Sequence, residues 1–444
     1  MIERLFHVRA MGSTPGREAL GGLTTFLTMA YILAVNPVFL TAAGMPLAGA
    51  ILATALSAAF ATLLMALLAN YPIALAPGMG LNAFFAYGVC LGAKVPWPTA
   101  LGLVFWSGIL FVLLTVTGAR AVLVRAVPKV LVLAGAVGIG LFIAFIGLEQ
   151  GGLIKVDPNT FVALGDLTAK PALLTLFGLG LSLVLAARGV RTAIFWGLAG
   201  TFAAALVTGA VAPPAQLLRV PSLALPGLSI DLLGALQLRY LPIVLVTLFF
   251  ALFDTLGTLM AIAHEAGLLR PGQEGQEGQE LPRLQRALTA DALGMVGGSL
   301  FGTSTVTSYI ESGAGVGVGA RTGLASVVTA FLLLLSLFAA PLVEMVGKNA
   351  GAGANPVTAP ALILVGTLMV RAVREIDWED ATEALPAFFT ALLMPLTFNI
   401  SHGLAAGIVV YALVKTAAGR AREVHWLIYL LAGLCVLRYA LLPI

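Results

Sequence analysis

Three carboxylates sit where an apolar chain tolerates charge least. Asp254 lies in Leu248-Phe-Phe-Ala-Leu-Phe-Asp-Thr-Leu-Gly-Thr258, Glu311 in Gly302-Thr-Ser-Thr-Val-Thr-Ser-Tyr-Ile-Glu-Ser312, and Asp291 in Leu288-Thr-Ala-Asp-Ala-Leu-Gly294. An ionisable group at the centre of a bilayer costs about 3 kcal/mol on insertion scales, so each one needs a function or a partner. Asp254 and Glu311 read as functional. Asp291 falls nearer the end of its stretch, where capping or hydration is the expectation. Carboxylates accept hydrogen bonds from N–H donors, and one removed from water binds a proton readily, which offers a route to proton coupling. The sequence does not say which of Asp254 and Glu311 titrates.

Other polar groups fall close by in the sequence pattern. Asn82, in Ala76-Pro-Gly-Met-Gly-Leu-Asn-Ala-Phe-Phe85, carries an amide that either reads a ligand edge in both directions or bonds between helices. Tyr309, two residues before Glu311, either stacks on a ring or packs. Two carboxylates and a helix start near one point suit a small, planar, neutral ligand with N–H donors and carbonyl or ring-nitrogen acceptors. A purine base meets that description.

The elements that position these residues are membrane helices. Hydrophobic residues make up 60% of the 444 and charged residues 10%, whereas a soluble domain is roughly one quarter charged. A water-soluble fold is excluded. Apolar runs fall near 19–40, 47–69, 72–90, 99–118, 131–148, 170–187 and 191–212, then near 238–262, 285–300, 302–318, 322–346, 355–371, 383–398 and 400–417. At about 20 residues per crossing, this predicts an all-α polytopic protein of about fourteen spans. The division is 1–18 as an amino-terminal segment, 19–215 and 235–417 as two repeats, and 418–444 as a tail whose apolar stretch from His425 either spans or lies on the surface.

Two spans read as broken. Pro72, Pro77, Gly78 and Gly80 interrupt one, and the Thr/Ser-rich then Gly-rich run from Gly302 interrupts the other. Each is the third span of its half. Matching interruptions mark a binding site in transporters built from inverted repeats, because irregular backbone is tolerated only beside a cavity.

With the amino terminus in the cytoplasm, Lys94, Lys155, Lys170, Arg219, Arg239 and Lys348 fall outside. The larger positive set, including Arg120 and Arg125, falls inside, as the positive-inside rule requires for a multi-pass protein of the cell membrane. The polar repeat Pro271-Gly-Gln-Glu-Gly-Gln-Glu-Gly-Gln-Glu280, within loop 264–286, reads as a flexible linker on that inner side. Met1 to Arg17 lacks the layout of a cleaved signal peptide and reads as an interfacial helix. Cys90 and Cys435 lie in apolar runs, so neither a disulfide framework nor a metal site is expected, and no cofactor is called for. The net charge of +4 reflects loop placement rather than nucleic-acid binding.

Several of these stretches resemble the AzgA-like purine permeases of the nucleobase/ascorbate transporter superfamily. They are Thr24-Thr-Phe-Leu-Thr-Met-Ala-Tyr-Ile-Leu-Ala-Val-Asn-Pro37, the segments around Asn82 and Glu311, Phe253-Asp-Thr-Leu-Gly257, Arg321-Thr-Gly323, Ile376-Asp-Trp378 and Met394-Pro-Leu-Thr397. The resemblance implies a seven-plus-seven inverted repeat with a core domain moving against a gate domain. It also implies proton symport of adenine, guanine or hypoxanthine by a protein embedded in membrane lipid, and a homodimer. By the same resemblance Asp254 and Glu311 hold the base, Asn82 helps, and backbone near Ala30 and Ile310 contributes. Thr258 stands where other branches often carry an ionisable residue, which argues against a local proton relay there. The competing expectations are an anion transporter on the same scaffold and a membrane-embedded hydrolase or channel.

Overall fold

The computed structural model describes residues 2–118, 128–213, 216–221, 224–271, 279–348 and 355–441. Arg120, Arg125 and the centre of the Gln/Glu/Gly repeat lie outside the described residues. The helices are α1 (Ile2–Phe6), α2 (Pro15–Met29), α3 (Ile32–Ala42), α4 (Leu47–Leu64), α5 (Met79–Ala83, continuing in wider turns to Gly92), α6 (Trp97–Thr117), α7 (Lys129–Gln150), α8 (Lys170–Ala187) and α9 (Ala193–Val207). The second half holds α10 (Leu241–Glu265), α11 (Leu284–Phe301), α12 (Ser312–Gly317), α13 (Gly323–Leu335), α14 (Ala340–Lys348), α15 (Ala359–Val370), α16 (Ala381–Leu396) and α17 (Ile400–Ala417), followed by α18 (Trp426–Leu441).

Local chemistry sets these limits. Proline stands in the first turn of α2, α6, α8, α10 and α15, where its missing N–H costs nothing. Thr14, Thr322, Asp380 and Asn399 cap helix starts with side-chain oxygens. Gly302 ends α11 at φ 100, and a Cβ there would stand 2.5 Å from the Gly227 nitrogen, so only glycine fits.

Eight of the described segments are long and apolar enough to cross a bilayer. Helix α11 has the length but carries Asp291 and Ser299. It is buried among protein: Gly294 packs on Ala61 and Gly298 on Val306, so lipid does not meet its polar groups.

The architecture is the seven-plus-seven inverted repeat. Helix α13 of the second half packs on α2 and α4 of the first, and α6 of the first half packs reciprocally on α10 and α11 of the second. This exchange builds the core from α2–α6 and α10–α14. Helices α7–α9 and α15–α18 form the gate, with its own apolar cluster of Leu131, Ala134, Ala387, Tyr411 and Ile428. Helix α18 packs on α17 and buries Ile428, which gives the tail a defined place in the gate.

Two features differ from expectation. The first span is not one helix: it is divided at Ala30 and Tyr31, where the Thr28 hydroxyl bonds the Thr24 and Thr25 carbonyls at 3.0 and 2.8 Å and so competes with the helical ladder. The fold is also not purely helical. Three short antiparallel ladders occur among the described residues: β1 (Leu75–Pro77) with β6 (Val306–Ser308), β2 (Ile154–Asp157) with β3 (Phe161–Leu164), and β4 (Arg270–Pro271) with β5 (Gln279–Glu280).

Candidate functional site

The two broken spans meet. Leu75 pairs with Ser308, Ala76 with Thr307 and Pro77 with Val306, so each break supplies the hydrogen-bond partners the other lacks. Bonds beyond the ladder lock it: Gly78 N–H donates to Thr305 O at 2.9 Å, Tyr309 N–H to Ala74 O at 2.9 Å, and Ala74 N–H to Ser312 Oγ at 3.0 Å. From this crossing α5 and α12 lead away with their amino-terminal ends at the centre of the molecule.

Five of the residues singled out from sequence keep some open surface near this crossing. Asp254, midway along α10, is exposed there, Thr258 one turn further is half-buried, and the buried Thr307 hydroxyl lies beside the Asp254 carboxylate without closing an ordinary hydrogen bond. Glu311 is half-buried at the start of α12, and its Oε1 accepts the Tyr31 hydroxyl at 2.5 Å. Its carbonyl accepts Thr28 Oγ1 at 3.3 Å. Ile310 is 51% exposed, and Ala30 is half-buried at the break between α2 and α3. An apolar cleft lies at the seam between core and gate, where Phe250 and Phe253 of α10 stand with Leu131 of α7 and Leu404 of α17.

The other two are behind this surface. Asn82 is fully buried; its Oδ1 accepts from the Ser304 hydroxyl and its Nδ2 donates to Pro77 O at 3.2 Å. Tyr309 is buried as well and donates its hydroxyl to the same carbonyl at 2.5 Å. Both amide atoms of Asn82 are therefore engaged by protein, and Tyr309 clamps one break onto the other.

Asp291 corrects the sequence expectation of a hydrated helix end. It is fully buried, accepting Thr255 Oγ1 at 2.7 Å and Ser308 Oγ at 3.1 Å. Thr255 follows Asp254 and Ser308 follows Thr307, so Asp291 braces helix and strand from behind. Tyr31 and Asp291 are the pieces that sequence reasoning missed or undervalued. The available signal was a hydroxyl-rich run, Thr24, Thr25, Thr28 and Tyr31, in an otherwise apolar span.

A core-to-gate contact lies two to three residues beyond Glu311. Arg191, just before α9, donates to Gly313 O and Ala314 O at 3.3 Å and stands 3.7 Å from Glu265 Oε1. Gly317 makes room for it: a Cβ there would be 1.3 Å from Arg191 Nη1. The guanidinium thus bonds carbonyls of the first turn of α12.

The Xan_ur_permease model, described as a permease family, matches residues 16–406. The chain is 43% identical over 441 residues to the guanine/hypoxanthine permease PbuG of Bacillus subtilis, covering 96% of this chain and 97% of that one. It is 39% identical to the adenine permease AdeP of Escherichia coli, covering 99% and 96%. Among solved structures, the transmembrane domain of the cyanobacterial bicarbonate transporter BicA superposes with TM-score 0.61 at 17% identity, covering 88% of this chain and 97% of that one.

Proposed function

Because the chain belongs to this permease family, a group of transporters rather than enzymes, we propose that it carries purine nucleobases across the cell membrane by proton-coupled symport. The observation that carries the reading is the pair Asp254 and Glu311, on different elements of the core and each with open surface, which we read as facing one opening. Each carboxylate accepts a base N–H, and the backbone at Ile310 meets a carbonyl or ring nitrogen of the base. The break at Ala30 and the Thr258 hydroxyl complete the wall. Asn82 and Tyr309 act by holding the crossing strands in register. Protonation of Glu311 or Asp254 supplies the coupling, and movement of core against gate exposes the opening to each side in turn. The amino terminus is cytoplasmic on this reading, as the loop charges require.

BicA shares the fold, yet two carboxylates in the opening repel an anion, and the Arg191 guanidinium is taken up by carbonyls and Glu265. A neutral base suits the site better.

The test is uptake of labelled hypoxanthine, guanine, adenine and uracil by cells lacking their own permeases. A hydrogen bond to a charged group contributes about 1.5–3 kcal/mol, so Asp254→Asn and Glu311→Gln should each lower purine uptake at least about tenfold with surface expression intact. Full uptake in both variants would remove these residues from the site. A protonophore should abolish accumulation; accumulation sustained by a sodium gradient alone would overturn the coupling ion.

A further inference from the structure

A second polar pocket lies at the end of the molecule opposite the amino terminus, away from Asp254 and Glu311. It has a volume of about 320 Å³ and sits between the wide turns after α5, the last turns of α7, the approach to α15 and the turn between α16 and α17, with the β2–β3 hairpin alongside. Its polar wall carries buried acceptors that no donor among the described residues reaches, Gln150 Oε1 and Asn355 Oδ1. Asn355 is 1% exposed and its orientation is fixed: its N–H donates to Gln150 O at 2.7 Å and its Nδ2 to Val346 O at 3.1 Å, which leaves Oδ1 as the end without a donor. Buried acceptors of this kind favour a ligand that brings donors. Glu149 adds a carboxylate to the same wall, and Lys155 on the hairpin supplies one donor in return.

The rest of the lining is largely aromatic. Phe398 meets Phe145 edge to face at 5.7 Å and Tyr87 at 5.8 Å, so ring surface lines the space. Phe398 itself holds a left-handed backbone at φ 51, a conformation bulky residues rarely adopt and one that tends to persist at functional positions. Ring surface together with hydrogen-bond acceptors in one pocket describes a planar nitrogen heterocycle with N–H groups on its edge.

We propose that this pocket is a vestibular subsite in which a nucleobase docks, with its N–H edge on Gln150 and Asn355 and its ring against Phe398 and Tyr87, before it moves to the central carboxylates. The proposal rests on the purine-transport reading above and adds a second binding position to it. In the proposed orientation the subsite faces outside, so it captures substrate on entry.

Equilibrium binding of labelled hypoxanthine to purified full-length protein, together with initial rates of uptake, tests it. The double variant Asp254→Asn/Glu311→Gln should retain weak hypoxanthine binding. Adding Gln150→Met, which removes the acceptor at nearly constant volume, should abolish that remaining binding, and Gln150→Glu in its place should keep it. Alone, Gln150→Met should raise the uptake KM several-fold with the maximal rate within twofold, and Phe398→Ala, checked for monodispersity, should act the same way. Absence of residual binding in the double variant, or residual binding and KM that Gln150→Met leaves unchanged, overturns the subsite while purine transport by the wild type stands. A well-expressed wild type that neither binds nor moves any purine overturns both readings.

Discussion

Residue types in the centre of the molecule divide into those that keep open surface and those that hold them in place. Asp254 and Glu311 belong to the first class, and the sequence singles them out because a charge inside an apolar run is costly. Asn82 and Asp291 belong to the second. Ser304→Ala would leave the fully buried Asn82 Oδ1 without its donor, at a cost of about 1–3 kcal/mol, so a lower unfolding temperature in detergent is expected, with purine selectivity retained. Unchanged stability would show that the bond carries no weight. Tyr31 was not legible, since a tyrosine in a span reads as packing; its hydroxyl matters only because folding brings Glu311 to it from 280 residues away.

Elements were legible where their breakers are local. Proline and glycine announced the break at Pro77, and the hydroxyl-rich run announced the one before Glu311. The pairing of β1 with β6 was not legible, because three-residue strands carry no periodicity and the partner lies in the other half of the chain. The division of the first span at Ala30 had no proline or glycine to signal it. Helix α12 is held along its length, by Tyr31 on Glu311 at its start, by Arg191 on the Gly313 and Ala314 carbonyls and by Arg321 on Val316 O near its end. If core and gate separate at this helix during transport, the Arg191 contact must open. Gly317→Ala expels the guanidinium and Arg191→Ala removes it, so both should raise hydrogen exchange at amides 313–317 and slow uptake several-fold. Exchange identical to wild type in both would show that Arg191 does not restrain α12.

At the scale of the whole molecule, the gate is tied at its amino-terminal face by charge. Arg420 bonds Asp380 Oδ2 at 2.6 Å and Glu423 Oε1 at 2.7 Å, and buried Lys415 reaches Glu383 and Glu423 at 2.7 and 3.2 Å. Bonds from Thr382 and then Arg420 hold the Asp380 carboxyl well below its ordinary range, and Arg420 followed by Lys415 lowers Glu423. Carboxylates depressed in the folded state stabilise it above their unfolded values, near pH 4, and that contribution is lost as pH falls through the folded ones. Unfolding temperature should therefore hold from neutral pH to about pH 5 and decline below about pH 4, and Arg420→Ala should flatten this acid limb. A limb unchanged by the substitution would place the acid sensitivity elsewhere. The crossing of β1 and β6 also has a consequence for how the protein is made. Pro77 O waits for the hydroxyl of a residue 232 positions later. At about 5–20 residues per second the ribosome needs roughly 10–50 s to supply it, and throughout that time the unpaired backbone of Leu75 to Pro77 cannot be released into lipid. The nascent first half must be sheltered by the insertion machinery until the second arrives, and a chain truncated before Val306 should be retained there or degraded.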